Sequence, residues 1–374
     1  MCKAILFLCI VILSGCVMKN RDKVEVGWLE GGALPEKDGK PHIGVAGPLT
    51  GILNNRLVIA GGANFPQGMP WDGGKKTYQK EVYIFKIESA GKLILEMTKP
   101  FADSIAYSAN AAADGYIYSV GGERNGVATA DVWRYSLVDN ELVREALPSL
   151  PIPLTNGTAV YLNGQLYMIG GENADQVSDK VYRLHISKEA AIWEQFAVLK
   201  HALSHAMVVT DGGQHIVIAG GRMRNDNAKS KIYDQVYMLN TEDRSWTSLP
   251  VLPYPLAAGT AVFYNNSIIL FGGDNGSTFN QVEELIGAIN LSKDDEERES
   301  LNKQKNLLQS THPGFGKEVW ALDLVKLKWR RLGDMEGDSP VTTTAVLKDD
   351  LVIIPSGEIR AGVRTNKIWV GQIR

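Results

Sequence analysis

A Gly-Gly doublet closes a short β-branched or aromatic run five times along the 374-residue chain, and a near-copy does so a sixth time. The runs end at Gly61-Gly62, Gly121-Gly122, Gly170-Gly171, Gly220-Gly221 and Gly272-Gly273, and the divergent copy at Ser356-Gly357. Spacing is near fifty residues except where loops expand. A period of that size marks a chain assembled from repeated supersecondary units, each too small to bury its own apolar face. Before each doublet stands a turn: Asn54-Asn55, Asp114-Gly115, Asn163-Gly164, Asp211-Gly212-Gly213, Asn265-Asn266 and Asp349-Asp350. These residue types accept the positive φ of tight hairpins. After each comes a Val or Ile with an aromatic: Val82-Tyr83, Val132-Trp133, Val181-Tyr182, Val236-Tyr237, Val319-Trp320 and Ile368-Trp369. Several copies add a Trp on a fourth strand, at Trp193, Trp246 and Trp329.

Four short strands per unit make a propeller blade. The pattern resembles kelch repeats and covers nearly the whole chain. The expected fold is therefore all-β, a six-bladed kelch-type propeller over residues 17–374. The sixth copy runs out at Arg374 after three strands. Its missing fourth strand is expected at the N-terminus, where Val24 to Leu29 carries Trp28. Closing the ring in this way removes the open sheet edges that invite aggregation.

Residues 1–16 are expected to lie outside the fold. Lys3 precedes an apolar stretch from Ala4 to Leu13 that is too short for an ordinary membrane-spanning helix. Leu13-Ser14-Gly15-Cys16 follows and resembles a bacterial lipobox. The resemblance implies cleavage before Cys16, acylation of its thiol, and export to the periplasm or cell surface, with membrane contact only through the lipid. The plainer alternative is a secretory signal with an accidental Cys. Cys2 and Cys9 would leave with the signal, so the mature domain would hold no free thiol. A formal charge of -3 and the lack of a Lys/Arg cluster argue against nucleic acid as a partner.

The loops that follow the doublets must all emerge on one face of the disc, together with the loops leading into each first strand. Loops set on a rigid scaffold commonly carry function. The longest insertion is in the fifth blade, between Asp274 and Glu318. Val282, Leu285, Ile286 and Ile289 have helical spacing there, and Ser292 reads as the cap of a second, charged helix. This insertion is either a decoration of the rim or a partial lid. The sixth blade departs most from the repeat, with Glu358, Arg360 and Arg364 within seven residues. Read without context, these form a surface ion-pair loop or a site.

Gly357 to Thr365 resembles the Gly-Glu-x-Lys-x-Gly-x-Arg-Thr segment of bacterial sialic-acid mutarotases (N-acetylneuraminate epimerases), which are six-bladed kelch propellers. Gly44-Val45-Ala46-Gly47-Pro48 and Gly73-Gly74-Lys75-Lys76-Thr77-Tyr78 are similar to that family too, as is the helical insertion. The blade order differs. In the best-known members the Glu/Arg loop lies mid-chain, so this chain looks cyclically permuted, which a closed ring tolerates. The resemblance implies mutarotation of a small sugar acid, without a cofactor. One group removes the anomeric hydroxyl proton and another protonates the ring oxygen. It makes Glu358 the catalytic base and Arg364 a ligand of the substrate carboxylate. Arg360 stands where the family has Lys and is a further candidate ligand. Glu123, Arg222 and Asn64 follow their doublets and are candidates to line the funnel. Sialidase-type Ser-x-Asp-x-Gly-x-x-Trp repeats are absent. His201 and His205, four apart, read as loop residues rather than metal ligands. The competing reading is a propeller that binds glycan or protein without catalysis. The sequence leaves the oligomeric state open.

Overall fold

The computed structural model describes residues 24–187, 190–225 and 228–374. Residues 1–16, expected to be a signal segment and including Cys16, lie outside these residues. Six four-stranded antiparallel sheets form six blades. In the first blade the order is Leu49–Leu53, Arg56–Ala60, Glu81–Ile87 and Leu93–Pro100. Its opening hairpin turns on Asn54 and Asn55, with φ of 49° and 63°. Positive φ at both central residues gives a turn whose twist matches the strands it joins.

The apolar residues do not make one central core. They fall into six clusters, each between two neighbouring blades. Leu57, Ile59, Tyr83 and Phe85 of the first blade meet Ile353, Ile368 and Val370 of the last. Val181 and Phe196 of the third meet Ile216, Ile218 and Leu239 of the fourth. Each blade thus buries both faces, and none has a complete core alone.

The doublets sit where blades approach most closely. Gly121, Gly170 and Gly220 have φ near 60°, and a Cβ on any of them would lie 2.2 Å from a carbonyl oxygen of the next blade. The second glycine donates its amide across the same seam, Gly171 to Leu203 O at 2.9 Å and Gly221 to Leu256 O at 2.8 Å. Ser356 takes the same left-handed backbone, φ 54°, in the sixth blade. Its hydroxyl accepts from Val45 N at 2.8 Å and reaches Thr365 O at 2.6 Å.

The strand Val26–Ala33 pairs antiparallel with Lys367–Ile373, Trp28 opposite Gly371. The Trp28 indole donates to Asp334 O of the fifth blade at 2.8 Å. Trp193 and Trp329 do the same to Pro148 O and Pro250 O of their preceding blades. Trp193 stands one residue ahead of its strand, Glu194–Val198.

Around the axis runs a closed ring of six backbone hydrogen bonds. Gly47 N donates to Thr342 O, Tyr107 N to Gly47 O, Asn156 N to Tyr107 O, His205 N to Asn156 O, Ala258 N to His205 O and Thr342 N to Ala258 O, all at 2.7–3.1 Å. All six residues have φ between 52° and 61°. That conformation turns each chain inward just before its first strand.

The fifth-blade insertion is two helices, α1 (Ser277–Leu291) and α2 (Asp295–Ser310). Asp294, not Ser292, caps α2, accepting from Glu296 N and Glu297 N. Ser292 ends α1 and gives its hydroxyl to the Glu297 carboxylate at 2.6 Å. Asp is the better match to the positive helix start, and it stands one residue before the first helical residue. Helix α1 rests on the fourth blade, where Glu283 accepts from Ser230 N and Oγ at 2.6 and 2.8 Å. Helix α2 reaches the first blade, Asn306 Nδ2 donating to Trp71 O at 3.0 Å.

Candidate functional site

One residue in each blade immediately follows the doublet: Ala63, Glu123, Glu172, Arg222, Asp274 and Glu358. Each is bridged to the residue just before the ring position: Ala46, Ala106, Thr155, Ser204, Ala257 and Val341 respectively. The six form an outer rim above the ring, and five of them are ionisable.

The sixth blade projects a two-stranded hairpin, Glu358–Arg360 with Val363–Arg364, that sets Glu358 opposite Arg364. Glu358 Oε2 lies 3.0 Å from Arg364 Nη2, and its Oε1 accepts from Gly362 N at 2.8 Å. The Arg364 side chain is only 5% exposed, against 19% for Glu358. Its guanidinium lies 4.6 Å over the Phe65 ring, and Nη2 reaches the Tyr107 hydroxyl at 3.4 Å. Nε and Nη1 are buried and have no hydrogen-bond partner among the described residues. Unmatched N–H groups on a buried cation are costly, and an anion that accepts from either recovers part of that cost.

Glu123 sits on the rim of the second blade but is spoken for. Lys76 Nζ lies 2.6 Å away, and the Tyr78 hydroxyl donates to the same oxygen. Burial and this carboxylate both push the Tyr78 phenol well above its ordinary range. Arg222 lies in a second cluster on the far side of the rim. It meets Glu172 at 2.8 Å and stacks 4.9 Å from Phe279 of α1. Glu172, 5% exposed, also accepts from Asn156 Nδ2 at 3.1 Å. Burial raises its carboxyl, but His205, Arg222 and the Asn156 amide outweigh that and hold it low. Burial and the Arg222 charge drive the His205 imidazole down to about 4. It is therefore neutral at neutral pH. Burial raises Asp274, although Gly276 N, His312 and Arg222 oppose the shift.

Two expected ligands are placed elsewhere. Asn64 is 3% exposed, donates to Gly44 O at 2.8 Å and accepts from Gln79 Nε2 at 2.8 Å. Both ends of its amide hold the loop, because Ala63 rather than Asn64 occupies the rim position. Arg360 lies opposite Val363, is exposed, and does not join the Glu358–Arg364 pair. Tyr107 and Phe65 complete the Glu358–Arg364 site and Glu172 the second cluster, none of them singled out from the sequence; His205, read there as a loop residue, joins the second cluster. Glu172 directly follows a doublet, and Tyr107 and His205 stand two residues before a first strand; Phe65 has no such positional signal.

A channel of about 720 Å³ runs along the axis, lined by the first strands of all six blades. It extends from the ring to the turns at Asp114-Gly115 and Asp211-Gly212. Neither Glu358 nor Arg364 lines it. The rim residues Glu123, Glu172, Arg222, Asp274 and Glu358 do not line it either, whereas the ring residues Tyr107 and His205 do.

The fold and this site define a closed six-bladed propeller with a buried, half-satisfied guanidinium beside a carboxylate. The family model described as N-acetylneuraminate epimerase matches residues 147–374, and the chain belongs to that family. It is 21% identical over 231 residues to the N-acetylneuraminate epimerase of Haemophilus influenzae strain PittEE, covering 61% of this chain and 60% of that one. It is 22% identical over 226 residues to the Salmonella typhimurium protein of the same name, covering 60% and 57%. The chain thus matches about 60% of the length of these curated relatives. The solved structure titled "Structure of YjhT" aligns with a TM-score of 0.62 at 16% identity, covering 88% of this chain and 97% of that one. That likeness is one of fold.

Proposed function

We propose that this protein is a mutarotase that interconverts the α and β anomers of N-acetylneuraminate by general acid–base catalysis. The observation that carries the reading is Arg364. It is buried, paired with Glu358, and holds two N–H-bearing nitrogens unmatched. The sugar's carboxylate can accept from one of those nitrogens, since Nε–H and Nη1–H point from different edges of the guanidinium. Binding there sets the adjoining anomeric carbon beside Glu358, which takes the anomeric hydroxyl proton as the ring opens. After the new carbonyl turns its other face, the same carboxyl returns the proton. Family membership supports the reading. A match confined to residues 147–374 also suits a permuted blade order, which breaks a linear comparison at one seam.

One-dimensional NMR of freshly released α-N-acetylneuraminate, with and without protein, tests the activity. Faster approach to anomeric equilibrium with protein is expected. An unchanged rate leaves a binding propeller as the better reading.

We further propose that the protein is exported and anchored to a bacterial membrane through acylated Cys16. The apolar stretch and lipobox-like Leu13-Ser14-Gly15-Cys16 support this. Acyl chains contribute about 0.8 kcal/mol per buried CH₂, so two or more hold firmly. Cys16→Ser should move the protein from the membrane to the soluble fraction.

A further inference from the structure

Ring opening needs a proton donor for the ring oxygen as well as a base. Arg364 holds its protons permanently and cannot serve. Glu123 already accepts from Lys76 and Tyr78. His312 accepts from Gly314 N through Nδ1 and makes no hydrogen bond to Glu358 or Arg364 among the described residues. Of the six ring positions, Gly47, Tyr107, Asn156, His205, Ala258 and Thr342, only two carry titratable side chains. His205 belongs to the Glu172 cluster, 3.7 Å from that carboxylate. Tyr107 belongs to the Arg364 side.

We propose that Tyr107 is the general acid of the reaction, delivering its phenolic proton to the ring oxygen while Glu358 takes the anomeric one. This rests on the mutarotase reading. Three observations carry it. First, Tyr107 is rooted in the second blade yet reaches Arg364 of the sixth, and glycine at 47 makes that possible. A Cβ on Gly47 would lie 2.5 Å from Tyr107 Cδ1, so the phenol ring occupies the space a side chain there would fill. Second, the phenol oxygen accepts from Arg364 Nη2 at 3.4 Å, and no described residue accepts its proton. The O–H is left to a ligand held on one of the free Arg364 nitrogens. Third, two cations flank the group: Arg364 at the oxygen and Lys76 Nζ 5.1 Å from the ring centroid. Burial, the largest influence, and the Glu358 carboxylate hold the phenol above its ordinary range and keep it protonated at rest, while these two cations oppose that and favour the phenolate that forms when the proton leaves.

The step balances. The bond between the anomeric carbon and the ring oxygen breaks, and its electron pair goes to that oxygen, which takes the Tyr107 proton. The anomeric O–H gives its proton to Glu358 and becomes the carbonyl. On closure from the other face the phenolate recovers its proton from the attacking hydroxyl, and Glu358 returns its own. Nothing is oxidised or reduced.

The test is anomer exchange by NMR in the wild type and in Tyr107→Phe, with saturation-transfer NMR of sugar binding on both. Positioned acid catalysis contributes ~10²–10⁴-fold, so the variant should lose exchange by at least about 10²-fold and still bind. Wild-type exchange in the variant, or loss of binding along with exchange, overturns the acid role. No acceleration by the wild type sinks the mutarotase reading itself, and this role with it. In a second variant, 3-fluorotyrosine placed only at 107 keeps the shape and makes the phenol more acidic. The alkaline limb of the rate profile should move to lower pH. An unmoved limb overturns the proposal.

Discussion

Glu358 and Glu172 hold the same place in blades that stand opposite one another, each directly after its doublet and each bridged to the chain before the ring. Their surroundings divide them. Glu172 is 5% exposed and engaged by Arg222 and Asn156. Glu358, with its side chain 19% exposed, leans on Arg364 and one backbone amide. The more accessible carboxylate is the one proposed above as the base.

Glu358→Gln should remove protein-dependent anomer exchange, a loss of ~10²–10⁴-fold. Glutamine can still accept from Gly362 N, so the hairpin persists. NMR exchange read beside a thermal melt separates lost catalysis from lost fold.

Arg364→Lys is not conservative here. A lysine cannot keep Glu358 and Tyr107 while also presenting a second nitrogen to a carboxylate. Binding of the sugar acid should weaken by about tenfold or more, the scale of one charge-assisted hydrogen bond. Titration calorimetry measures it.

Ser356→Ala should cost about 1–3 kcal/mol, because Val45 N is left unmatched in a buried seam. Ser356→Gly should cost less, since glycine adopts φ 54° freely. Urea titrations of the three proteins give the order.

The pH dependence follows from His205. Its folded value is about 4 against an ordinary 6.5, so between those limits the unfolded chain binds the extra proton. Stability is therefore full above pH 6.5 and declines as pH falls toward 4. The lowered Glu172 carboxyl adds loss in the same direction at still lower pH. At about 1.36 kcal/mol per unit, His205 accounts for up to roughly 3 kcal/mol. His205→Gln should flatten the stability profile between pH 6.5 and 4, measured by denaturant unfolding at several pH values.

The blades were legible because their signals are local. The Asn-Asn and Asp-Gly turns, the doublets and the alternating apolar runs each specify a hairpin within a few residues. Glu358 and Arg364 were legible because they face each other across one short hairpin. Tyr107 and Phe65 at Arg364, and Glu172 with His205 at Arg222, were not, because each set is assembled from separate blades. Asn64 was misplaced by one residue. Successive strand residues point to opposite sides, so a slip of one turned a rim residue into a loop brace. The fifth-blade helices were readable from their spacing, but their cap fell on Asp294, where acidic residues crowd and several could serve.

The six amides joined around the axis have a consequence for how the molecule opens. Each is both held by one neighbour and tied, through its own carbonyl, to the next. No blade can swing away without releasing two of them. Solvent deuterium should therefore enter at Gly47, Tyr107, Asn156, His205, Ala258 and Thr342 by one shared event, the coming apart of the whole disc, and all six should show the same free energy of opening. Tyr107, the proposed general acid, thus stands on the slowest-breathing part of the protein.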